Sequence, residues 1–119
     1  MIHPADNVEN TARYEQCALA LDEAQGNASR SNPISDEFRA LAELMRVSGE
    51  GRRGLESLLT HPNRGVRVWA ATECLVWTPE KAIPVLEALR DTPGSYRVDA
   101  EYSLIESRQG NFFDGWTPS

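Results

Sequence analysis

The chain has 119 residues, of which 40% are hydrophobic and 25% are charged, and it carries a formal net charge of −6. This composition is typical of one folded domain and excludes an intrinsically disordered chain. The acidic balance disfavours nucleic acid as a partner, because phosphate backbones are held mainly by Lys and Arg, and it favours a basic protein instead.

Cys17 and Cys74 are the only two cysteines and lie far apart in the sequence. Two isolated thiols, together with an N-terminus that lacks a basic start and an apolar segment, predict a reduced cytoplasmic protein without a secretory leader. No apolar run approaches the roughly 18 residues that a membrane-spanning helix requires, so no membrane partner is expected.

Hydrophobic periodicity predicts six helices in three pairs, at about residues 6–48, 52–77 and 79–109. The first helix is predicted for residues 6–24. Pro33 disfavours helix at the residue before it, so the second helix is predicted to begin near Ser35, a favourable N-cap. Gly49 and Gly51 are predicted to end that helix.

The third helix is predicted for residues 52–60 and the fourth for residues 64–77. The fourth is apolar around nearly its whole circumference, which is typical of a helix buried on two sides. Thr78 predicts the start of the fifth helix, and Pro84 inside it predicts a kink. The sixth helix is predicted for residues 96–109.

Part of the fourth helix returns in weaker form thirty residues later, where Arg67 recurs as Arg97 and Ala70 as Ala100. A fixed period of this size in helical sequence predicts stacked helix pairs, none of which can bury its apolar face alone. The predicted fold is therefore all-α, with three stacked antiparallel helix pairs that form a short α-solenoid, as a single domain over residues 1–119.

The C-terminal segment, residues 111–119, contains Phe112, Phe113 and Trp116. The last pair of a stack leaves one apolar face uncovered, and terminal repeats need a cap. We expect these aromatic side chains to fold back as that cap. The alternative is that they form an exposed docking motif for another chain.

The pattern VRVWAA, which follows the turn HPN, resembles the second helix of a HEAT repeat, and EKAIPVLEALRD resembles a first helix. Over about residues 50–113 the sequence is similar to a small bacterial family, domain of unknown function twenty-nineteen. The resemblance implies a short, right-handed, HEAT-like stack that contacts other proteins, with no catalytic residues to transfer. It also implies that Arg67 and Arg97 support packing between adjacent units by pairing with carboxylate or carbonyl groups.

The candidate binding residues lie on the fourth and sixth helices, at positions that often point to the concave side in HEAT-like helices. They are Trp69, Thr72, Glu73, Asp99, Tyr102 and Glu106. Aromatic anchors beside carboxylates are typical of a protein-binding hot spot. For Trp69 two interpretations stay open, because the same side chain could fill core space between helix pairs.

The sequence predicts no catalytic, metal or cofactor site. His3, His61 and the two cysteines lack the close, repeated spacing of zinc ligands. Each cysteine is interpreted as a small core residue, since neither has an evident His partner in the sequence.

The predicted function is a non-enzymatic protein–protein interaction module, an adaptor or an inhibitor or immunity protein, that is monomeric or weakly homo-oligomeric. One alternative is a helical-repeat enzyme or small-ligand-binding protein. Another is a homo-oligomeric structural protein whose copies stack through the C-terminal aromatic residues.

Overall fold

A computed structural model describes residues 7–24, 28–94 and 96–109. These residues contain six α-helices and no strand, so the all-α prediction is confirmed. The helices are α1 (Asn7–Glu23), α2 (Ala28–Arg46), α3 (Gly49–Ser57), α4 (Arg64–Cys74), α5 (Pro79–Asp91) and α6 (Arg97–Gln109), and a 3-10 turn, Leu58–Thr60, continues α3. None of these helices is long and apolar enough to cross a membrane.

The second helix begins earlier than its sequence predicts. α2 starts at Ala28 and includes Pro33, so the prediction of a start near Ser35 is wrong. Pro33 lies in the second turn of the helix and is exposed to solvent. It lacks one backbone donor, and the helix tolerates that loss near its N-terminal end.

The two glycines predicted to end the second helix belong to α3 instead. The side chain of Ser48 caps α3 by accepting a hydrogen bond from the backbone N–H of Gly51 at 2.9 Å. Gly51 is buried, and a Cβ there would overlap the carbonyl group of Met45. Glycine is therefore needed at this position for the close approach of α3 to the end of α2.

The fourth helix lies in the centre of the fold, where it packs against α1, α3, α5 and α6. Its apolar residues are buried on opposite sides, as the sequence predicts, with Val66 and Ala70 on one side and Val68 and Ala71 on the other. The helix ends at Cys74, and residues 75–77 form a turn rather than a last helical turn. α5 then continues through Pro84.

Helices that are neighbours in the chain pack against each other, and α1 also contacts α3 and α4. All six helices contribute buried side chains to one apolar cluster. The cap predicted for Phe112, Phe113 and Trp116 falls outside the described residues.

Candidate functional site

Trp69 on α4 is half-buried between two other aromatic rings. Its ring centroid lies 6.2 Å from that of Phe38 on α2 and 6.1 Å from that of Tyr96, and both contacts are edge-to-face, a favoured geometry. The ring of Phe38 lies 4.4 Å from that of Tyr14 on α1. We call Tyr14, Phe38, Trp69 and Tyr96 the aromatic row. Because the row joins three helices and the start of α6, Trp69 has a packing role between helices.

Tyr96 occupies one end of the aromatic row in an uncommon backbone conformation. It is the one described non-glycine residue with a positive φ, 68°, which is costly for a bulky side chain. Its hydroxyl donates a hydrogen bond to Asp22 Oδ1 of α1 at 2.6 Å. Its ring also covers Gly65, where a Cβ would lie 3.0 Å from the ring. These two contacts hold the ring in place.

Glu73 follows Trp69 by one helical turn on the same side of α4, and its side chain is 14% exposed. Nε of Arg46 on α2 lies 3.1 Å from Glu73 Oε2. The N–H of that Nε, however, is directed at the carbonyl oxygen of Ala42, 3.3 Å away. Glu73 Oε2 therefore receives the attraction of the positive charge without a hydrogen bond.

Three buried side-chain polar atoms in the described part of the chain lack a hydrogen-bond partner. They are Tyr14 Oη, Trp69 Nε1 and Glu73 Oε2. Leaving such an atom unsatisfied costs about 1–3 kcal/mol, so an unsatisfied group in a folded protein calls for an explanation. Here a donor, an acceptor and a hydroxyl that can do either belong to the aromatic row and the adjacent carboxyl.

Burial changes the acidity of two of these groups. It raises the pKa of Glu73 to about 7, against the lowering effect of Arg46, and the charge of Glu43 raises it further. Burial also raises the pKa of the Tyr14 hydroxyl well above its usual value, with the Glu73 charge contributing. The Glu73 carboxyl therefore changes between its neutral and charged forms near neutral pH, whereas Tyr14 stays protonated.

Thr72 faces a different neighbour from Trp69 and Glu73. Its hydroxyl donates to the carbonyl oxygen of Val68 at 2.8 Å and lies 2.9 Å from the hydroxyl of Ser103 on α6. Both hydroxyls are largely removed from solvent. Thr72 consequently joins α4 to α6, and its hydroxyl is used in packing between these two helices.

The outer face of α6 exposes three large apolar side chains. Val98 is 75% exposed, Tyr102 62% and Ile105 41%, and they follow each other at helical spacing along one face. We call these three residues the α6 stripe. Asp99 and Glu101 are exposed on the same helix. An exposed apolar patch with a polar border is typical of a protein interaction site.

The two repeat arginines bind backbone carbonyl groups five to seven residues earlier in the chain. Arg67 Nη1 donates to the carbonyl oxygens of His61 at 2.9 Å and Pro62 at 3.2 Å. Arg97 Nε donates to the carbonyl oxygen of Arg90 at 2.9 Å. A longer contact, between α4 and α5, is made by another residue.

That residue is Arg64, whose Nη2 donates to the carbonyl oxygens of Leu89 at 3.3 Å and Thr92 at 3.2 Å. Both carbonyl groups lie at the C-terminal end of α5. A cation is favourable there because the backbone carbonyls of a helix end carry partial negative charge. Arg64 therefore connects the start of α4 to the end of α5.

Both cysteines are buried and free. Burial raises the pKa of Cys17 to about 11 and raises that of Cys74 as well. Each is therefore a neutral thiol at neutral pH, and a neutral thiol is a poor nucleophile. Across the described ranges, no three His, Cys, Asp or Glu side chains are grouped so that they could hold a metal ion.

The six candidate residues differ in their exposure and in the neighbours that they contact. Trp69 and Glu73 both contact α2, Trp69 also contacts Tyr96, and Thr72 contacts α6. Asp99 and Tyr102 are exposed on α6, while Glu106 is half-buried. Helical spacing alone places Trp69 and Glu73 one turn apart on α4, and it does not separate them from the α6 residues.

The other members of the aromatic row carry no signal of a functional role in the sequence. Tyr14 and Phe38 fall on the apolar sides of their helices, where an aromatic residue is most simply a core residue. Tyr96 adopts a left-handed conformation that is typical of glycine or asparagine, so its sequence context carries no signal for it.

Comparison with known proteins gives a family and a related structure. The model of a family described as Domain of unknown function (DUF2019) matches residues 14–105. The crystal structure of the protein RPA1889 from Rhodopseudomonas palustris CGA009 is similar with a TM-score of 0.80 and 26% identity, over 95% of this chain and 93% of that chain. No curated protein matches the sequence.

Proposed function

This chain belongs to the Domain of unknown function (DUF2019) family, and we propose that it is a non-enzymatic protein-binding module of the bacterial cytoplasm, whose partner docks on the α6 stripe. The proposed architecture is a short HEAT-like stack of three helix pairs, with α2, α4 and α6 as the second helices. α6 is then the last described helix of the stack. Its stripe corresponds to the face that a further helix pair would cover in a longer array.

The observation that carries the proposal is the concentration of exposed apolar surface on one helix. Three of the four large hydrophobic side chains exposed in the described ranges belong to α6. Burial of such surface contributes about 25 cal/mol per Å², so a partner that covers the stripe gains binding energy from it. Tyr102 is the expected anchor, because Tyr is enriched among the residues that dominate binding.

The partner we propose is a protein with an apolar segment flanked by basic residues. Asp99 and Glu101 border the α6 stripe, and the whole chain carries a net charge of −6. Complementary charge speeds association and orients the partner. An inhibitor or immunity protein that binds a basic toxin is one function of this kind.

The placement of the reactive side chains supports a function without catalysis. Both cysteines are buried as neutral thiols. Glu73, the carboxyl with a pKa of about 7, is almost wholly enclosed by the aromatic row and Arg46. A general acid or base needs to reach a substrate, and this carboxyl lies against protein groups instead.

A matched pair of variants tests the docking surface. Tyr102 on the stripe and Val47, between α2 and α3, are both 62% exposed. A photo-crosslinking residue placed at each position in turn is expected to capture a basic protein at position 102 and not at position 47. With that protein purified, Tyr102→Glu is expected to weaken binding by at least roughly ten-fold and Val47→Glu by less than two-fold. Equal effects of the two substitutions would reject the stripe as the docking surface.

Two other groups could cover the α6 stripe, a second copy of the chain or the C-terminal segment, and truncation distinguishes them. Removal of residues 111–119 is followed by gel filtration and thermal unfolding. A dimer that dissociates on truncation identifies a second copy of the chain as the occupant. A monomer whose melting temperature falls by several degrees on truncation identifies the C-terminal segment as the cover. Either result contradicts docking of another protein on an open stripe.

A further inference from the structure

A groove of about 370 Å³ lies between the 3-10 turn, the first turns of α4 and the middle of α5. Leu59, Val85 and Ala88 supply its apolar lining, and Arg64 and Arg67 also line it. The groove is separate from both the aromatic row and the α6 stripe, since it shares no residue with either. We propose that it binds a small amphipathic carboxylate, with the carboxylate at Arg67 and the apolar part along α5.

The charge of the lining favours an anion. The lining contains two guanidinium groups and no carboxylate, in a chain whose net charge is −6. Arg67 uses only Nη1 for its two carbonyl bonds, and its Nε and Nη2 make no hydrogen bond with the described residues. Arg is suited to a carboxylate because its planar N–H groups match the two oxygens in a two-pronged pair. The carbonyl bonds of Arg67 also hold its guanidinium in position before a ligand arrives.

The size of the groove limits the ligand. A volume of about 370 Å³ corresponds to roughly a dozen non-hydrogen atoms, at about 30 Å³ for each water-sized atom. Leu59 is buried and Val85 half-buried, so the apolar wall is firm, while Ala88 is exposed at the rim. A free acid with a short alkyl chain or a single aromatic ring fits these dimensions, whereas a helix of a partner protein is too large.

Octanoate is a suitable probe, and octylammonium is its control with the opposite charge. In NMR titrations of the full chain, octanoate is expected to shift the backbone amide signals of Leu59, Val85 and Ala88 in a saturable way below about 10 mM, in the weak range for a ligand of this size. Octylammonium is expected to bind at least roughly ten-fold more weakly. No saturable shift with octanoate, or equal shifts with both probes, would overturn the proposal.

Substitution of either of two exposed alanines by glutamate locates the site without removing a structural arginine. Ala88 at the groove and Ala40 on α2 are both exposed helical residues. Ala88→Glu places a negative charge at the rim and is expected to weaken octanoate binding by roughly ten-fold, whereas Ala40→Glu is expected to change it by less than two-fold. Equal loss in the two variants would show that only the net charge matters and would refute the groove.

A tripeptide of leucine, with a free C-terminal carboxylate or with a C-terminal amide, distinguishes the source of the carboxylate. We expect neither form to compete with octanoate at equal concentration, because the peptide exceeds the volume of the groove. Displacement of octanoate by the acid form alone would assign the groove to peptide C-termini and would contradict the proposal of a free small acid. Neither result depends on docking of a protein at the α6 stripe.

Discussion

α4 and α6 carry one sequence pattern, yet one side of the pattern is buried in α4 and exposed to solvent in α6. Ala70 and Ala100 occupy matching positions, and both are completely buried. Val68 and Val98 also match, but Val68 is fully buried while Val98 is 75% exposed. The matching alanines therefore mark a side that is buried in both helices. The opposite side is buried only where another helix follows, as α5 and α6 follow α4.

This difference separates two kinds of candidate site. The aromatic row and Glu73 lie where α4 is enclosed, so their polar atoms are desolvated and their chemistry is altered by burial. The α6 stripe lies where the pattern ends, so its residues keep contact with solvent. A change at the enclosed site is consequently expected to alter stability, and a change at the stripe is expected to alter binding.

The largest effect is expected from a charge introduced at the two matching valines. Val68→Asp places a carboxylate in the core and is expected to lower the free energy of unfolding by about 4 kcal/mol or more, or to prevent folding. Val98→Asp is expected to change it by about 0.5 kcal/mol or less, because the side chain is already in water. Urea denaturation of both variants measures the difference. A large loss from Val98→Asp would show that the stripe is covered in solution.

The second effect is a dependence of stability on pH that comes from Glu73. The native state binds its proton more tightly than the unfolded chain, since the pKa is raised from 4.5 to about 7. The free energy of unfolding should therefore fall as the pH rises from about 4.5 to about 7, by up to about 3 kcal/mol, and level off above. Glu73→Gln is expected to flatten this slope in urea titrations made at several pH values.

The matched control for that measurement is Glu101→Gln, since Glu101 is exposed on α6. It is expected to leave the slope unchanged. The slope is the informative quantity, because Glu73→Gln also changes the contacts of a buried side chain and so shifts stability at every pH. If the dependence on pH persists in Glu73→Gln, other titratable groups cause it.

The smallest effect is expected from the repeat arginines. Arg67 is half-buried and makes two hydrogen bonds to carbonyl oxygens, so Arg67→Gln is expected to cost about 1–2 kcal/mol. Arg97 is exposed and makes one such bond, and Arg97→Gln is expected to cost about 0.5 kcal/mol or less. Thermal unfolding of the two variants compares them. An unchanged melting temperature for Arg67→Gln, with loss of partner binding, would assign that residue to recognition instead.

Much of the fold follows from local sequence. Capping residues and apolar spacing place α4, α5 and α6 to within a few residues, because these signals act over one or two helical turns. Pro33 and Gly51 mislead for the same reason. Whether a proline is tolerated near a helix start, or a glycine is needed against Met45, depends on packing that a sequence window does not contain.

The candidate site is predictable only in part. Helical spacing correctly puts Trp69 and Glu73 on one side of α4, since that relation is fixed within the helix. Helical spacing carries no information on which helices face Trp69 and Glu73, so it does not connect Tyr14 or Phe38 with the site. The difference in exposure between Tyr102 and Trp69 has the same cause, because it depends on which side of α6 has a neighbour.

The hydrogen bond between Tyr96 and Asp22 joins residues that are 74 positions apart. A linear array held only by contacts between adjacent units can fray from its last unit while the first remains intact. Here the residue that precedes α6 is attached to α1, so α6 cannot detach from its N-terminal end without breaking a contact to the first helix. The bond closes a long loop of chain, and it couples the folding of the two halves more strongly than an open stack would.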